Sequence, residues 1–311
     1  ILDGQMRALA KGITLAESTL ERDRESAQNL LNAVLPHTGK SIRIGISGVP
    51  GVGKSTFIES FGLHLIEQGK RVAVLAVDPS SPIGGGSILG DKTRMEELSR
   101  NPDAFIRPSP SSGALGGVAQ KTRESMMLCE AAGYDVILVE TVGVGQSEYE
   151  VAGMVDFFLV LMIPNAGDEL QGIKKGIMEL VDGLVINKAD GESANLAIQT
   201  QQHYKNALHL MQHASFWTPT VTTCSALNHT NIDETWQTVL SYVEQATACD
   251  AFDEKRQSQA VQWMERLTRE LIDQRLAANT EIATLLPQLK SEVQTGKTTA
   301  YSAAVRLVNL L

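Results

Sequence analysis

Cysteine is scarce in this chain. Cys129, Cys224 and Cys249 are its whole complement in 311 residues, and no paired spacing links them. That excludes a disulfide framework and a cysteine-rich zinc site, and it fits a reducing cytoplasm. Histidine is as thin: six residues, scattered, with no His/Cys cluster of the kind a metal-delivering protein would carry. Positive charge is in deficit, with 27 Lys and Arg against 36 Asp and Glu and a net charge of −9. A nucleic-acid partner would demand a basic face, so that class is set aside. Long apolar runs are missing too. The longest strongly apolar stretch, "FFLVLMI", covers only Phe157 to Ile163, whereas a membrane-spanning helix needs about 20 residues. It reads as a central strand, and no membrane association is expected. No internal repeat or low-complexity tract is present. Ile1 stands where an initiator methionine is expected, so the native N-terminus is expected upstream, and no signal peptide is read in the residues present.

What the chain does have is apolar side chain enough for a packed core, 43% of residues, and a length that suits one large domain or two smaller units. Residues 1–40 read as an N-terminal helical extension, with apolar residues at three- and four-residue spacing until Pro36 and Gly39 stop the pattern. Residues 41–247 alternate strand and helix. The strand candidates are "IRIGIS", "RVAVLAV", "AFIRPS", "DVILVE", "FFLVLMI", "GLVINK" and "PTVTTCSA". Continuous apolar strands separated by helical patterns predict an α/β fold: a mostly parallel sheet with helices on both faces. From 248 to 311 the strands vanish. "SQAVQWMERLTRELIDQRLAAN" and "TTAYSAAVRLVNLL" are amphipathic helices whose apolar stripes exceed what one subunit can cover, so they are expected to pair two copies of the chain. "PIGGGSILG" (Pro82 to Gly90) reads as a mobile loop.

The strongest motif is "GVPGVGKST", comprising Gly48, Val49, Pro50, Gly51, Val52, Gly53, Lys54, Ser55 and Thr56. Its spacing is G-x-x-x-x-G-K-S, the phosphate-binding loop of P-loop nucleotidases. Bare chance would produce that spacing in roughly one chain of this size in a hundred, and the flanking strand and helix make it rarer. Glycines let the backbone aim several N–H groups at one anion. Lys54 is placed to reach the β- and γ-phosphates and Ser55 to bind Mg²⁺.

The base is read from "NKAD". Asn187, Lys188 and Asp190 form N-K-x-D at the C-terminal end of a predicted strand, where open α/β sheets place ligands. One carboxylate, Asp190, can accept from both guanine N1–H and the 2-amino group. Adenine would leave it unpaired, a penalty that discriminates strongly. Asn187 is expected to bond the other guanine edge or to tie the base loop to the phosphate loop, and Lys188 to lay its stem along the ring. After the last strand come Ser225, Ala226 and Leu227, with the Ala226 N–H directed at guanine O6.

For the metal and the water, Glu140 ends one strand candidate and Gly143 follows three residues later. Glu140 stands where many GTPases have Asp, and it is expected to reach Mg²⁺ through a coordinated water, with the Gly143 N–H on the γ-phosphate. Asp78 and Asp91 could join the Mg²⁺ hydration shell. The alternative for Asp78 is a cap on the turn before Pro79, and on spacing alone Asp91 could equally be a solvated loop acid. Gln146 is a candidate for orienting the attacking water. Hydrolysis would rest on positioning and charge neutralisation, with Lys54, Glu140 and Asp91 as its catalytic set.

Together, "GVPGVGKST", "VDPSSPIGGGSILGDKTRM", "ETVGVGQSE", "NAGDELQGIKKGIMELVDG" and "NKAD" resemble the MeaB/ArgK GTPases, bacterial relatives of the mitochondrial methylmalonic aciduria type A protein. "KGITLAES" and "QAVQWM" extend the resemblance over nearly the whole chain. It implies a P-loop GTPase of the SIMIBI class that binds GTP or GDP with Mg²⁺ in the cytoplasm. It further implies a homodimer that chaperones adenosylcobalamin-dependent methylmalonyl-CoA mutase. By the same resemblance Asp78, Asp91 and Glu140 take the metal and switch positions. The segment from Asn165 to Asp182 takes an additional switch, with Asp168 and Lys174 as its charged elements; from the residues alone those two are ordinary solvated charges. An older label in that family implies an alternative, an ATPase or kinase linked to basic amino-acid transport. Asp190 argues against ATP, and no phosphoacceptor constellation is present.

Overall fold

All six residues of Val72–Val77 are apolar and all six are buried. Neither face of such a strand can meet water, so it requires a sheet covered on both sides. The computed structural model describes residues 1–77, 95–108, 115–141, 147–164, 175–209 and 216–310, the side chains of 115–118 and 175 excepted. In it this segment is β2 of a seven-stranded sheet. The other strands are β1 (Ile42–Gly48), β3 (Ala104–Arg107), β4 (Val136–Thr141), β5 (Phe157–Met162), β6 (Gly183–Ile186) and β7 (Thr220–Thr223). Their spatial order is β3-β2-β4-β1-β5-β6-β7, and every pairing among them is parallel. Each strand candidate of the sequence is a strand of this sheet.

The helices accompanying the sheet are α1 (Met6–Ala16), α2 (Glu21–Val34), α3 (Lys54–Glu67), α4 (Glu96–Arg100), α5 (Leu115–Ala131), α6 (Ser147–Ala152), α7 (Lys175–Met178), α8 (Ala194–His209) and α9 (Ile232–Ala248). From β1 the chain runs toward β2 and β3, returns to β4, and then crosses to β5, β6 and β7 on the far side of β1. Right-handed crossovers put helices that travel in opposite directions on opposite faces. One apolar layer holds Phe57 and Phe61 of α3, Leu98 of α4 and Trp236 of α9 against Ile44, Val74 and Leu138. The other holds Leu128 of α5, Val151 of α6 and Ala197 of α8 against Val139, Phe158 and Val160. The reversal opens a crevice beyond the C-terminal ends of β1 and β4, the place where sheets of this kind bind ligands.

The first two helices belong to the core. Leu9, Ile13, Leu31 and Val34 are buried in the same layer as α5. An ion pair fixes their exit into the sheet: the fully buried Glu130 carboxylate accepts from the Arg43 guanidinium at 2.7 Å and from the Gly39 N–H at 2.7 Å.

The chain divides into two compact units, Ile1–Asp253 and Glu254–Leu311. Helix α10 (Ala251–Ala278) starts in the first and continues into the second, which also holds α11 (Thr280–Gln294) and α12 (Ala300–Val308). Asn279 caps α11, accepting from the N–H groups of Glu281 and Ile282, and its amide donates to the Leu310 carbonyl at 2.9 Å. Ile282, Leu289 and Ala303 are buried, while Val261, Met264, Leu271 and Ile272 leave an apolar stripe of α10 exposed. No helix among the described residues is long and apolar enough to cross a membrane.

Candidate functional site

The loop between β1 and α3 uses backbone angles that a side chain resists. Gly48, Gly51 and Gly53 have φ of +152°, +82° and +93°. Two of them are also hemmed in: a Cβ on Gly48 would lie 2.6 Å from the Leu161 carbonyl oxygen of β5, and one on Gly53 would lie 2.9 Å from the Asn187 amide nitrogen. Val52 anchors the loop, its side chain fully buried in the layer beneath α3 and its N–H donating to the Val49 carbonyl at 3.2 Å. Val49 is half-buried, and Pro50 and Gly51 form an exposed crest. Helix α3 then starts at Lys54. Its first N–H groups have no acceptor within the helix, and at the positive end of the helix dipole they make an anion nest. Ser55 there is half-buried and Thr56 exposed.

Lys54 folds back into the loop, its Nζ donating to the Gly48 carbonyl at 2.7 Å, with the Val49 carbonyl at 3.4 Å. Burial pushes its ammonium below the usual lysine value, and the carboxylates of Glu140 and Glu148 pull part of that shift back. Both carboxylates are buried. Glu140 pairs with Ile46 of β1 and with Ala76 of β2, so it sits beside the root of the loop. The neighbouring Thr141 hydroxyl donates to Ser47 at 2.9 Å, joining the ends of β4 and β1. This is a small cationic cradle beside hard oxygen donors, suited to a phosphate chain and its divalent cation.

The segment after β6 is tied to the same loop. The Asn187 amide donates to the Val52 carbonyl at 2.9 Å, and its Oδ1 accepts from the Ala226 N–H at 3.1 Å. The Cys224 thiol also approaches that oxygen, at 3.5 Å. Burial, then the charges of Asp190 and Glu234, push this thiol up to about 12, so it stays protonated and able to donate. Lys188, in the left-handed region at φ +59°, donates to the Gly51 carbonyl at 2.7 Å. The Ser225 hydroxyl donates to the Asp190 carboxylate. Asn187 therefore takes the tying role of the two the sequence left open. The Ala226 N–H, which sequence reasoning aimed at a base, is engaged with Asn187. Leu227 lies beyond it, 75% exposed.

Thus the fold brings together Gly48 to Thr56, Glu140, Asn187, Lys188, Asp190 and Ser225 to Leu227. Asp78, Asp91, Gly143, Gln146, Asp168, Lys174 and the Pro82–Gly90 loop lie outside the described residues. Sequence reasoning passed over Glu148, although it opens α6 directly after the glycine-rich "TVGVGQS". An acid in the first turn of a helix was the available signal; its burial beside Lys54 was not readable. Among the described residues, no group of three or more His, Cys, Asp and Glu side chains is placed to hold a metal.

Comparison with known proteins agrees along nearly the whole chain. The family model described as "Methylmalonyl Co-A mutase-associated GTPase MeaB" matches residues 9–281. The GTPase ArgK of Escherichia coli is 52% identical over 278 residues, 89% of this chain and 84% of that protein. The mitochondrial methylmalonic aciduria type A homolog of Mus musculus is 48% identical, across 95% of this chain and 74% of that one. A crystal structure of a LAO/AO transport system kinase superposes with a TM-score of 0.79 at 40% identity, covering 99% of this chain and 94% of that chain.

The bonding around Asn187 predicts an asymmetry within N-K-x-D. Asn187→Ala leaves the Val52 carbonyl and the buried Ala226 N–H each short of a partner, and should cost on the order of 2 kcal/mol in chemical denaturation. Lys188→Ala removes one exposed contact and should stay within about 0.5 kcal/mol. Equal losses would show that Asn187 carries no brace.

Proposed function

This chain belongs to the MeaB family of methylmalonyl Co-A mutase-associated GTPases and is a GTP hydrolase, and on that premise we propose that it is a Mg²⁺-dependent GTPase chaperone of an adenosylcobalamin-dependent methylmalonyl-CoA mutase. It acts in loading, protecting or reactivating that enzyme's cofactor site. The observation that carries the nucleotide half is Asn187, whose amide joins the base segment to the phosphate loop. The partner half rests on the family.

In this reading the amides of Gly51 to Thr56 and the Lys54 ammonium hold the phosphates. Asp190 accepts from guanine N1–H and the 2-amino group, with Ser225 holding one of its oxygens. Ser55 and Glu140 would hold Mg²⁺ through oxygen, directly or through water, together with Asp78 and Asp91. When bound, Mg²⁺ would supply charge neutralisation at the phosphates. No covalent step is needed; the residues position and stabilise. Gly143 senses the γ-phosphate, and Asp168 and Lys174 couple that state to the partner. The three free cysteines support a cytoplasmic setting, and the net charge of −9 disfavours nucleic acid.

Two copies assemble through the second unit. Val261, Met264 and Leu271 are 53%, 59% and 51% exposed and share one side of α10. A twofold interface would cover that stripe with itself.

Base identity is tested by Asp190→Asn. The new amide donates where guanine's amino group also donates, whereas xanthine offers a carbonyl there. GTP affinity should fall by about 10²-fold while XTP affinity rises, measured by calorimetry with ATP alongside. A wild type that binds ATP as well as GTP would return the chain to the transport-linked ATPase or kinase reading.

The partner is tested by GTP turnover with and without methylmalonyl-CoA mutase. Turnover should rise with mutase, and Lys174→Ala should keep the basal rate and lose most of the stimulation. No stimulation of the wild type overturns the partner; equal loss of both activities moves Lys174 into the active site.

For assembly, Met264→Glu combined with Leu271→Glu should weaken self-association at least about tenfold, because both charges enter the centre of the apolar contact. Light scattering reads the change, and nucleotide binding should persist. A dimer of undiminished affinity would count against the α10 interface.

A further inference from the structure

The turn after β7 makes an attachment that none of these roles uses. Ser225 and Thr230 exchange two backbone hydrogen bonds, at 3.1 and 3.0 Å, closing a short hairpin. The Asn228 N–H donates to the Ser225 hydroxyl at 3.1 Å. That same hydroxyl donates to Asp190. Within the hairpin His229 stands at φ +54°, and just after it Asn231, at φ +57°, donates to the Thr223 carbonyl at 3.2 Å. A left-handed backbone is uncommon outside glycine and persists where surrounding contacts hold it.

The contact at His229 is Ser60. Its Oγ lies 2.8 Å from His229 Nδ1, and the serine is only 2% exposed. Ser60 belongs to α3, the helix that begins with Lys54 and Ser55. The two partners are 169 positions apart in sequence, so this is a tertiary bond and no local turn. A serine hydroxyl can donate to one imidazole tautomer or accept from the other, so the pairing does not depend on which is present.

We propose that Ser60 and His229 form a positioning clamp that fixes the base-recognition hairpin, and through Ser225 the Asp190 carboxylate, against the phosphate-loop helix. Guanine discrimination then depends on two side chains that touch no nucleotide. The inference rests on the reading that Asp190 and Ser225–Leu227 receive the base. Asn187 and Lys188 already anchor the β6 side to the Val52 and Gly51 carbonyls. Asn187 also takes the Ala226 N–H at the start of the β7 turn; the clamp adds a second attachment at His229, directly to the helix that follows the phosphate loop. Selectivity requires this, because a wall free to relax would accommodate a base lacking the 2-amino group. Preorganisation also lowers the ordering cost of binding.

The test uses the full chain with Ser60→Ala, His229→Gly, their double variant, and Asp190→Asn as control, each checked for folding by circular dichroism. His229→Gly removes the bond while relaxing the left-handed backbone. Affinities for GTP and ITP are measured by calorimetry, with kcat at saturating GTP; ITP lacks the 2-amino group, so the GTP/ITP ratio reads the placement of Asp190. Each single variant should weaken GTP about three- to tenfold, the scale of one hydrogen bond. The GTP/ITP ratio should fall in step while kcat holds. The double variant should match the weaker single, because the two act as one unit. An unchanged ratio in folded Ser60→Ala and His229→Gly, or effects that add, overturns the clamp. If Asp190→Asn retains full guanine preference, the base-site reading fails and the clamp with it. If that control loses preference while the clamp variants keep it, the clamp alone fails.

Discussion

One side-chain amide holds this site together. Asn187 leaves the end of β6, gives its N–H to the Val52 carbonyl and takes the Ala226 N–H on its oxygen. Three loops that follow three different strands thereby share one small polar group. A side-chain amide can do this because it carries donor and acceptor on one rigid plane. Its burial makes the arrangement exacting, since each backbone group it satisfies would otherwise sit unpaired in a low-dielectric interior. The neighbouring Lys188 also reaches the loop, but from the surface, where water can substitute for it.

The lysine and its carboxylates add an electrostatic constraint of a different kind. Burial alone would favour a neutral Lys54 amine; Glu140 and Glu148 oppose that, and the Gly48 carbonyl gives the ammonium a place to rest. The two carboxylates and the carbonyl thus offset part of what burial costs the ammonium inside the loop. Catalytic sites commonly keep charge in this way, so that little rearrangement remains when substrate arrives. The sheet supplies the geometry: because its order reverses at β1, the lysine's helix and the helix that carries Glu148 lie on opposite faces and converge only at the crevice.

Legibility in the sequence followed the range of the interaction. β2, β5 and β6 were readable because each is continuously apolar and buried throughout, as a strand covered on both faces must be; the others were readable from short β-branched runs bounded by turn residues. The phosphate loop and N-K-x-D were readable because their spacing is dictated by chemistry within a few residues. The guanine-acceptor role proposed for Asp190 rests on base chemistry. Glu148, the Ser60–His229 pair and the engaged Ala226 N–H were not readable, since each depends on a partner from another strand's loop. The first two helices looked like an appendage because charges alternate along them. Only the packed chain shows that Leu9, Ile13, Leu31 and Val34 complete one side of the core.

Gly48 and Gly53 sit where neighbouring elements have taken the space of a side chain, the Leu161 carbonyl in one case and the Asn187 amide in the other. Each position therefore answers to two masters. A side chain at either glycine would disturb the packing of the neighbouring element as well as the geometry of the loop. A variant scored only by turnover would not separate the two effects.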